Sequence, residues 1–169
     1  MCGILGSVNI ELQKSDLELL YHRGPDHQEL KTFVQANQQV FLGHTRLSIV
    51  DLSEAGNQPM PTCDLQSEIV FNGEVYNHLD FRKDINQKKF LGHSDTESVL
   101  YALHEKGSRA IELFNGIFAF SFLDKKRNKL ILARDPFGVK PLYYFFDGKK
   151  FLFSSELKFI TKHIPNKEI

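Results

Sequence analysis

A cysteine at position 2, directly behind the initiator methionine, is the first residue whose type and place suggest chemistry. Methionine is commonly clipped before small side chains, and its removal would set the Cys2 thiol beside its own α-amine. That amine titrates near ~7.7–8.0, against ~10.4 for a lysine, so part of it is unprotonated at neutral pH and can act as a general base. The same residue also reads as a small buried cysteine in an edge strand. Asn72-Gly73 between apolar runs has two readings as well. It is a strong hairpin-turn signal. It is also a pair of donors, a side-chain amide and a glycine N–H, for a developing negative oxygen. Ser94-Asp95-Thr96-Glu97 has the Ser-x-x-Glu pattern of a capping box, in which Asp95 suits the helix dipole or a substrate ammonium group. Arg46 lies in the apolar, β-rich segment 41–52 and needs many hydrogen bonds or an anionic partner, which could be Asp51, Asp135 or a substrate carboxylate held bidentately.

The elements that must position these residues follow from pattern. Cys2 to Ile10 reads as a buried strand, and Asp16 to Tyr21 as a short helix ended by the turn signal His22-Arg23-Gly24-Pro25-Asp26. Val40 to Val50 is β-rich, and Ser53 to Thr62, with Gly56, Asn57, Pro59 and Pro61, is a loop. Glu68 to Tyr76 reads as strand, turn, strand, with Asn72-Gly73 at the turn. Helices are expected near 79–88 and 95–106, with another helical turn over 108–114. In Ile117 to Leu123 the phenylalanines 118, 120 and 122 share one face and apolar residues occupy the other, so both faces should be covered. Lys125 to Asn128 turns the chain into a strand over Lys129 to Ala133. Leu142 to Phe146 and Phe151 to Ser154 form a hairpin about Asp147-Gly148, and a last helix starts near Ser155. Strands, then helices, then strands, then a helix argue for a layered α+β architecture with two stacked sheets between helices.

Composition narrows the function classes. Acidic and basic residues balance at 21 each, so no long-range field favours nucleic acid or an anionic membrane. No apolar run reaches spanning length and no signal-peptide pattern opens the chain, which makes the cytoplasm the expected compartment. Cys2 and Cys63 have no metal-ligand spacing and no disulfide framework, and no metal site is expected. A length of 169 residues fits one domain.

Taken together, the motifs decide more than any one of them. Met1-Cys2-Gly3-Ile4, His22-Arg23-Gly24-Pro25-Asp26, Gly43-His44-Thr45-Arg46-Leu47-Ser48-Ile49-Val50-Asp51-Leu52, Asn57-Gln58-Pro59-Met60, Phe71-Asn72-Gly73-Glu74-Val75-Tyr76-Asn77, Ser94-Asp95-Thr96-Glu97, the run from Ala133 to Tyr144, and Ser155-Glu156-Leu157-Lys158 occur in order. The set closely resembles the amino-terminal glutaminase domain of glutamine-hydrolysing asparagine synthetases. The resemblance runs from residue 1 to about residue 160.

It implies an N-terminal-nucleophile hydrolase fold, a four-layer αββα sandwich, spanning residues 1–169. It implies that Cys2 attacks the glutamine side-chain amide, that its α-amine moves the proton, and that Asn72 and the Gly73 N–H hold the oxyanion. Arg46 would bind the α-carboxylate of glutamine, and Glu74 and Asp95 its α-ammonium, with Leu47, Ile49 and Val50 lining the pocket. The expected products are glutamate and ammonia, by way of a glutamyl thioester. No cofactor is expected in this domain. ATP and Mg²⁺ belong to the family's C-terminal synthetase domain, whose Ser-Gly-Gly-x-Asp-Ser loop does not occur in these residues.

The expected partners are glutamine and a synthetase domain or separate synthetase chain, and a homodimer is compatible with this reading. The stretch between Cys2 and His22 is shorter than the family pattern, so a trimmed first helix is expected. Phosphoribosyl-pyrophosphate amidotransferases and glucosamine-phosphate synthases share parts of the pattern, which leaves other ammonia acceptors open. A glutamine-binding or assembly module without catalysis is the alternative from another class.

Overall fold

The computed structural model describes residues 1–49, 51–86 and 90–164. Among the described residues nine strands form two antiparallel sheets. The first sheet has the order β2-β3-β1-β9-β8, from β1 (Gly3–Val8), β2 (His27–Gln35), β3 (Gln38–Arg46), β8 (Tyr143–Phe146) and β9 (Phe151–Ser154). The second has the order β4-β5-β6-β7, from β4 (Met60–Pro61), β5 (Ser67–Val75), β6 (Gly116–Asp124) and β7 (Lys129–Arg134). The helices α1 (His78–Arg82), α2 (Asp95–Lys106) and α3 (Leu157–His163), and 3-10 helices over Lys14–Arg23 and Gly107–Leu113, cover the outer faces.

Period-2 patterning explains the layering. Along β6, Phe118, Phe120 and Phe122 pack with Val99, Leu100 and Leu103 of α2, while Ala119 and Leu123 face the other way, against Ile4, Val40 and Leu42 of the first sheet. The outer face of the first sheet buries Leu5, Phe41 and Leu152 against Leu17 and Leu20 of the first 3-10 helix and Phe159 and Ile160 of α3. Three apolar layers thus lie between four structural layers, helix, sheet, sheet and helix. The expected αββα sandwich is the observed one.

Three local readings need correction. Asn72-Gly73 is not a turn: both residues lie inside the nine-residue strand β5, paired with Ala119 and Phe118 of β6. A primed hairpin turn needs positive φ, which neither residue has. Gly73 is there for close approach, because a Cβ would overlap the Ile117 carbonyl oxygen.

The helix expected over 79–88 is only His78–Arg82. Asp84 N–H donates to Phe81 O and Ile85 N–H to Arg82 O, bonds of tight-turn spacing that end the helix, and residues 87–89 lie outside those described. Strand β2 had no counterpart in the pattern reading. Its mixed sequence lacks alternation, and the signal that was there is Asn37, which with Ala36 takes positive φ in the two-residue β2–β3 connection.

Candidate active site

Where β1 and β3 of the first sheet end beside β5 of the second, the chain leaves a cleft. It is lined by Met1, Cys2 and Lys140, by Arg46 to Ile49, by Gln58, by Phe71 to Glu74, and by Ser94 to Thr96. The first sheet supplies Cys2. Gly3 pairs with Thr45 across β1 and β3, which puts Cys2 next to Arg46 and Leu47. The Cys2 thiol lies between the two backbone groups of Leu47. The Leu47 N–H donates to Sγ at 3.4 Å, and the thiol donates to Leu47 O at 3.6 Å. Arg23 Nε donates to Cys2 O at 3.0 Å, and Arg23 is itself anchored on Glu156 at 2.7 Å. The thiol is thus aimed from both sides of its own backbone. Met1 is exposed, and Lys140 Nζ donates to its Sδ at 3.3 Å.

Arg46 ends β3, and its residue is 7% exposed. Its guanidinium is tied down by neutral oxygens: Nη1 donates to Ser53 O and Asn57 Oδ1, each at 2.8 Å, and Nη2 to Asp51 O. Gly56 lies so close beneath it that a Cβ would overlap Nη2. Among the described residues no carboxylate forms an ion pair with it. The Asp51 carboxylate is turned instead to the Ser53 hydroxyl and to the Ser53 and His93 N–H groups, with the Ser53 hydroxyl chiefly holding its pKa below the usual range. Asp135 is used up in a turn, accepting from the Val139 and Lys140 N–H groups. A buried cation beside a cleft and without a carboxylate partner can take an anionic ligand.

The opposite wall is the edge of β5. Strand β6 covers one side of β5 along its whole length, but β4 covers the other side only at Glu68 and Ile69. Beyond that point the edge N–H groups at 71, 73 and 75 have no neighbouring strand. Side chains accept two of them: Gln58 Oε1 takes the Phe71 N–H at 2.6 Å, and Asp95 Oδ2 takes the Val75 N–H at 2.8 Å. The middle one, the Gly73 N–H, has no acceptor among the described residues. Next to it the buried Asn72 Nδ2 also has no partner. Two donors without acceptors therefore stand together on the cleft, on the wall facing Cys2. Buried donors are rarely left so, and two together mark a place for an acceptor oxygen.

The far end of this wall is acidic. Asp95 opens α2, whose first turn is capped by Ser94 Oγ accepting from the Glu97 N–H at 3.3 Å. The other half of the expected capping box is missing, because the Glu97 carboxylate accepts from Leu91 and Gly92 instead. Burial raises the Asp95 pKa, against the two N–H groups it accepts from, and the nearby Glu74 carboxylate raises it further. His78, which faces both carboxylates, offsets part of this, and two neighbouring acids on a cleft favour a cationic guest.

A family model described as a glutamine amidotransferase domain matches residues 1–169. The chain belongs to this family. Asparagine synthetase [glutamine-hydrolyzing] 3 of Bacillus subtilis is 41% identical over 176 residues, which cover 96% of this chain and 28% of that protein. Amidase chry2 of Gibberella zeae is 39% identical over 150 residues, covering 88% of this chain and 22% of that protein. The chain therefore spans well under half the length of these curated relatives. A solved glutamine phosphoribosylpyrophosphate amidotransferase from B. subtilis, complexed with ADP and GMP, superposes with a TM-score of 0.77 at 18% identity, covering 97% of this chain and 44% of the other. The likeness shows a shared fold, two antiparallel sheets stacked between helices.

The amidotransferase domain brings Cys2, Arg46, Leu47, Ile49, Asn72, Gly73, Glu74 and Asp95 to one cleft. Val50, also expected there, lies outside the described residues. The residues that pattern reading passed over are neutral or distant: Gln58, His44, Arg23 and Lys140. All four stand within the ordered motifs, but nothing local says which groups they will meet.

Proposed function

We propose that this domain hydrolyses the side-chain amide of glutamine, with Cys2 as the nucleophile after removal of Met1. The observation that carries the reading is the open stretch of the β5 edge, where the Gly73 N–H and Asn72 Nδ2 stand without acceptors among the described residues, on the same cleft as the Cys2 thiol. Glutamine is a zwitterion with an amide at its far end. It needs an anion holder, a cation holder and an oxyanion site beside a nucleophile. Arg46 suits its carboxylate, Asp95 and Glu74 its ammonium, and Leu47 and Ile49 its flanks, with Val50 beside them in sequence.

The chemistry follows from those places. The Cys2 α-amine takes the thiol proton as Sγ attacks the amide carbon, and the carbonyl oxygen gains negative charge between Asn72 Nδ2 and the Gly73 N–H. The α-amine then protonates the leaving nitrogen, so ammonia departs and a thioester remains. Water, deprotonated by the same amine, attacks the thioester. The thiol leaves with the proton restored, and glutamate is released. Nucleophile, base and donors are all amino-acid groups, so the proposed reaction asks for no metal or cofactor within the domain.

The ammonia would serve a synthetase domain or a separate synthetase chain that uses ATP and Mg²⁺, with aspartate as the first candidate acceptor. The relative named an amidase favours keeping a second acceptor class in view. We place the activity in the cytoplasm, where a second copy of the chain is a further candidate partner. No described helix is long and apolar enough to cross a membrane.

The test is release of ammonia and glutamate from glutamine by the purified chain, with its N-terminus read by mass spectrometry. Release that disappears in Cys2→Ala supports the mechanism. Undiminished release in that variant rejects it, and glutamine binding without release from chain bearing a free Cys2 supports a binding module instead.

A further inference from the structure

The edge of β5 raises a question that the reaction scheme leaves open: what holds the Gly73 N–H in place where no strand lies beside it? Phe71, two residues before Gly73 on the same edge, is gripped at both backbone groups by side chains. Its N–H donates to Gln58 Oε1 at 2.6 Å, and its carbonyl oxygen accepts from His44 Nε2 at 3.2 Å. Gln58 is 4% exposed and His44 is fully buried. These two side chains stand in for the strand that β4 is too short to provide.

We propose that Gln58 and His44 are positioning residues that set the oxyanion donors of β5 against the nucleophile. The proposal rests on the glutaminase reading of the cleft and names two residues that the reading does not need for binding or bond-making.

Two connections make the grip more than local. His44 lies on β3 opposite Ile4 and two residues before Arg46, so its bond to Phe71 O joins the sheet that carries Cys2 to the strand that carries Asn72 and Gly73. Gln58 follows Asn57, whose side chain accepts from Arg46, so the loop that fixes the anion holder also fixes Phe71. A rigid link of this kind matters because an error of about 1 Å in reacting geometry can cost about 100-fold in rate.

The tautomer of His44 follows from its partner. A carbonyl oxygen only accepts, so Nε2 must carry the proton. Burial holds the His44 pKa down to about 3, with His27 and Arg46 nearby adding to the effect against the favourable Phe71 carbonyl. Nδ1 is buried without a partner. The imidazole is therefore a fixed neutral donor at working pH and does not shuttle protons.

The experiment compares His44→Met, which keeps bulk and loses the donor, with His44→Gln, whose amide nitrogen reaches about as far as Nε2, and with Gln58→Met, which loses the acceptor. Each is made in the full chain and matched for fold by circular dichroism. His44→Met and Gln58→Met should lower kcat for glutamine hydrolysis by about 10–100-fold with KM within about 3-fold, and His44→Gln should recover most of the loss. In parallel, ¹⁵N NMR of wild type should show His44 as the Nε2–H tautomer without titration between about pH 5 and 8.

A His44→Met variant that keeps kcat within about 2-fold, or changes only KM, overturns the proposal. So does titration of His44 in that range. If His44→Met fails to fold, Gln58→Met and the wild-type NMR decide by the same criteria. If wild-type chain with a free Cys2 releases no ammonia, the glutaminase reading fails by itself. The grip is then judged by the Gly73 and Asn72 side-chain amide resonances, which should shift in both methionine variants and whose constancy would overturn it.

Discussion

The two walls of the cleft are built on opposite principles. On the first sheet, the groups that line the cleft are tied down: Arg46 is bonded by three loop oxygens, and the Cys2 thiol and carbonyl are each held. On the opposite wall, groups are left open: among the described residues Asn72 Nδ2 and the Gly73 N–H have no acceptor, and burial raises the pKa of Asp95 at the start of α2. The groups that hold the nucleophile are bonded without a ligand, and the donors facing them are completed by one. The closed wall can orient a nucleophile because its own hydrogen bonds are already made. The open wall can gain from a transition state because its donors give up nothing to bind it.

This contrast can be broken by variants. The largest effect should come from the open wall: Asn72→Ala should lower kcat by about 10²–10³-fold, the size expected for one oxyanion donor. An effect on KM alone would make Asn72 merely a strand residue. On the closed wall, Arg46→Met should act mainly on KM for glutamine, by about 10–100-fold, the worth of a lost charge-assisted hydrogen-bond pair. A pure kcat loss with KM unchanged would argue that Arg46 only holds its loop.

Asp95→Asn should raise KM by about 10-fold, less than Arg46→Met because Glu74 remains. It also carries a sign for stability. Burial raises the Asp95 pKa above its ordinary 3.8. Such a group stabilises the fold fully below its unfolded pKa and loses that contribution as the pH rises through the folded value. The Tm of Asp95→Asn relative to wild type should therefore climb as the pH is raised from about 3 to about 7. A flat difference would mean that Asp95 is not strained by its charge.

The smallest effect sharpens the contrast. Gly56→Ala pushes a methyl against Arg46 Nη2, the far end of a flexible side chain. It should raise KM by about 3-fold with little change in Tm. A large loss of Tm would show that the loop, not the guanidinium, had been displaced.

Much of the frame was readable before any coordinates. The Phe118-Phe120-Phe122 alternation with apolar residues between them announced a strand covered on both faces, and β6 is that strand. Ser94 announced a helix start, and α2 starts there. Asn72-Gly73 misled as a turn because the pair has two physical uses, positive φ and close approach, and only the neighbour strand at Ile117 decides between them. β2 was silent because its apolar residues, Leu30, Phe33 and Val34, do not fall at alternate positions.

By itself the sequence determined the inventory: a thiol at position 2, one arginine in an apolar run, an acid at a helix start, an amide beside a glycine, and enough period-2 pattern for two stacked sheets. Those are properties of residue type and spacing, and they survive without a fold. What tertiary structure decided was which hydrogen-bonding groups went without partners. The shortness of β4 exposes the edge of β5, Gln58, His44 and Asp95 close part of it, and among the described residues the Gly73 N–H is left without an acceptor. Saturation of a backbone group depends on whatever lies opposite it, often tens of residues away, so no local pattern could have shown it.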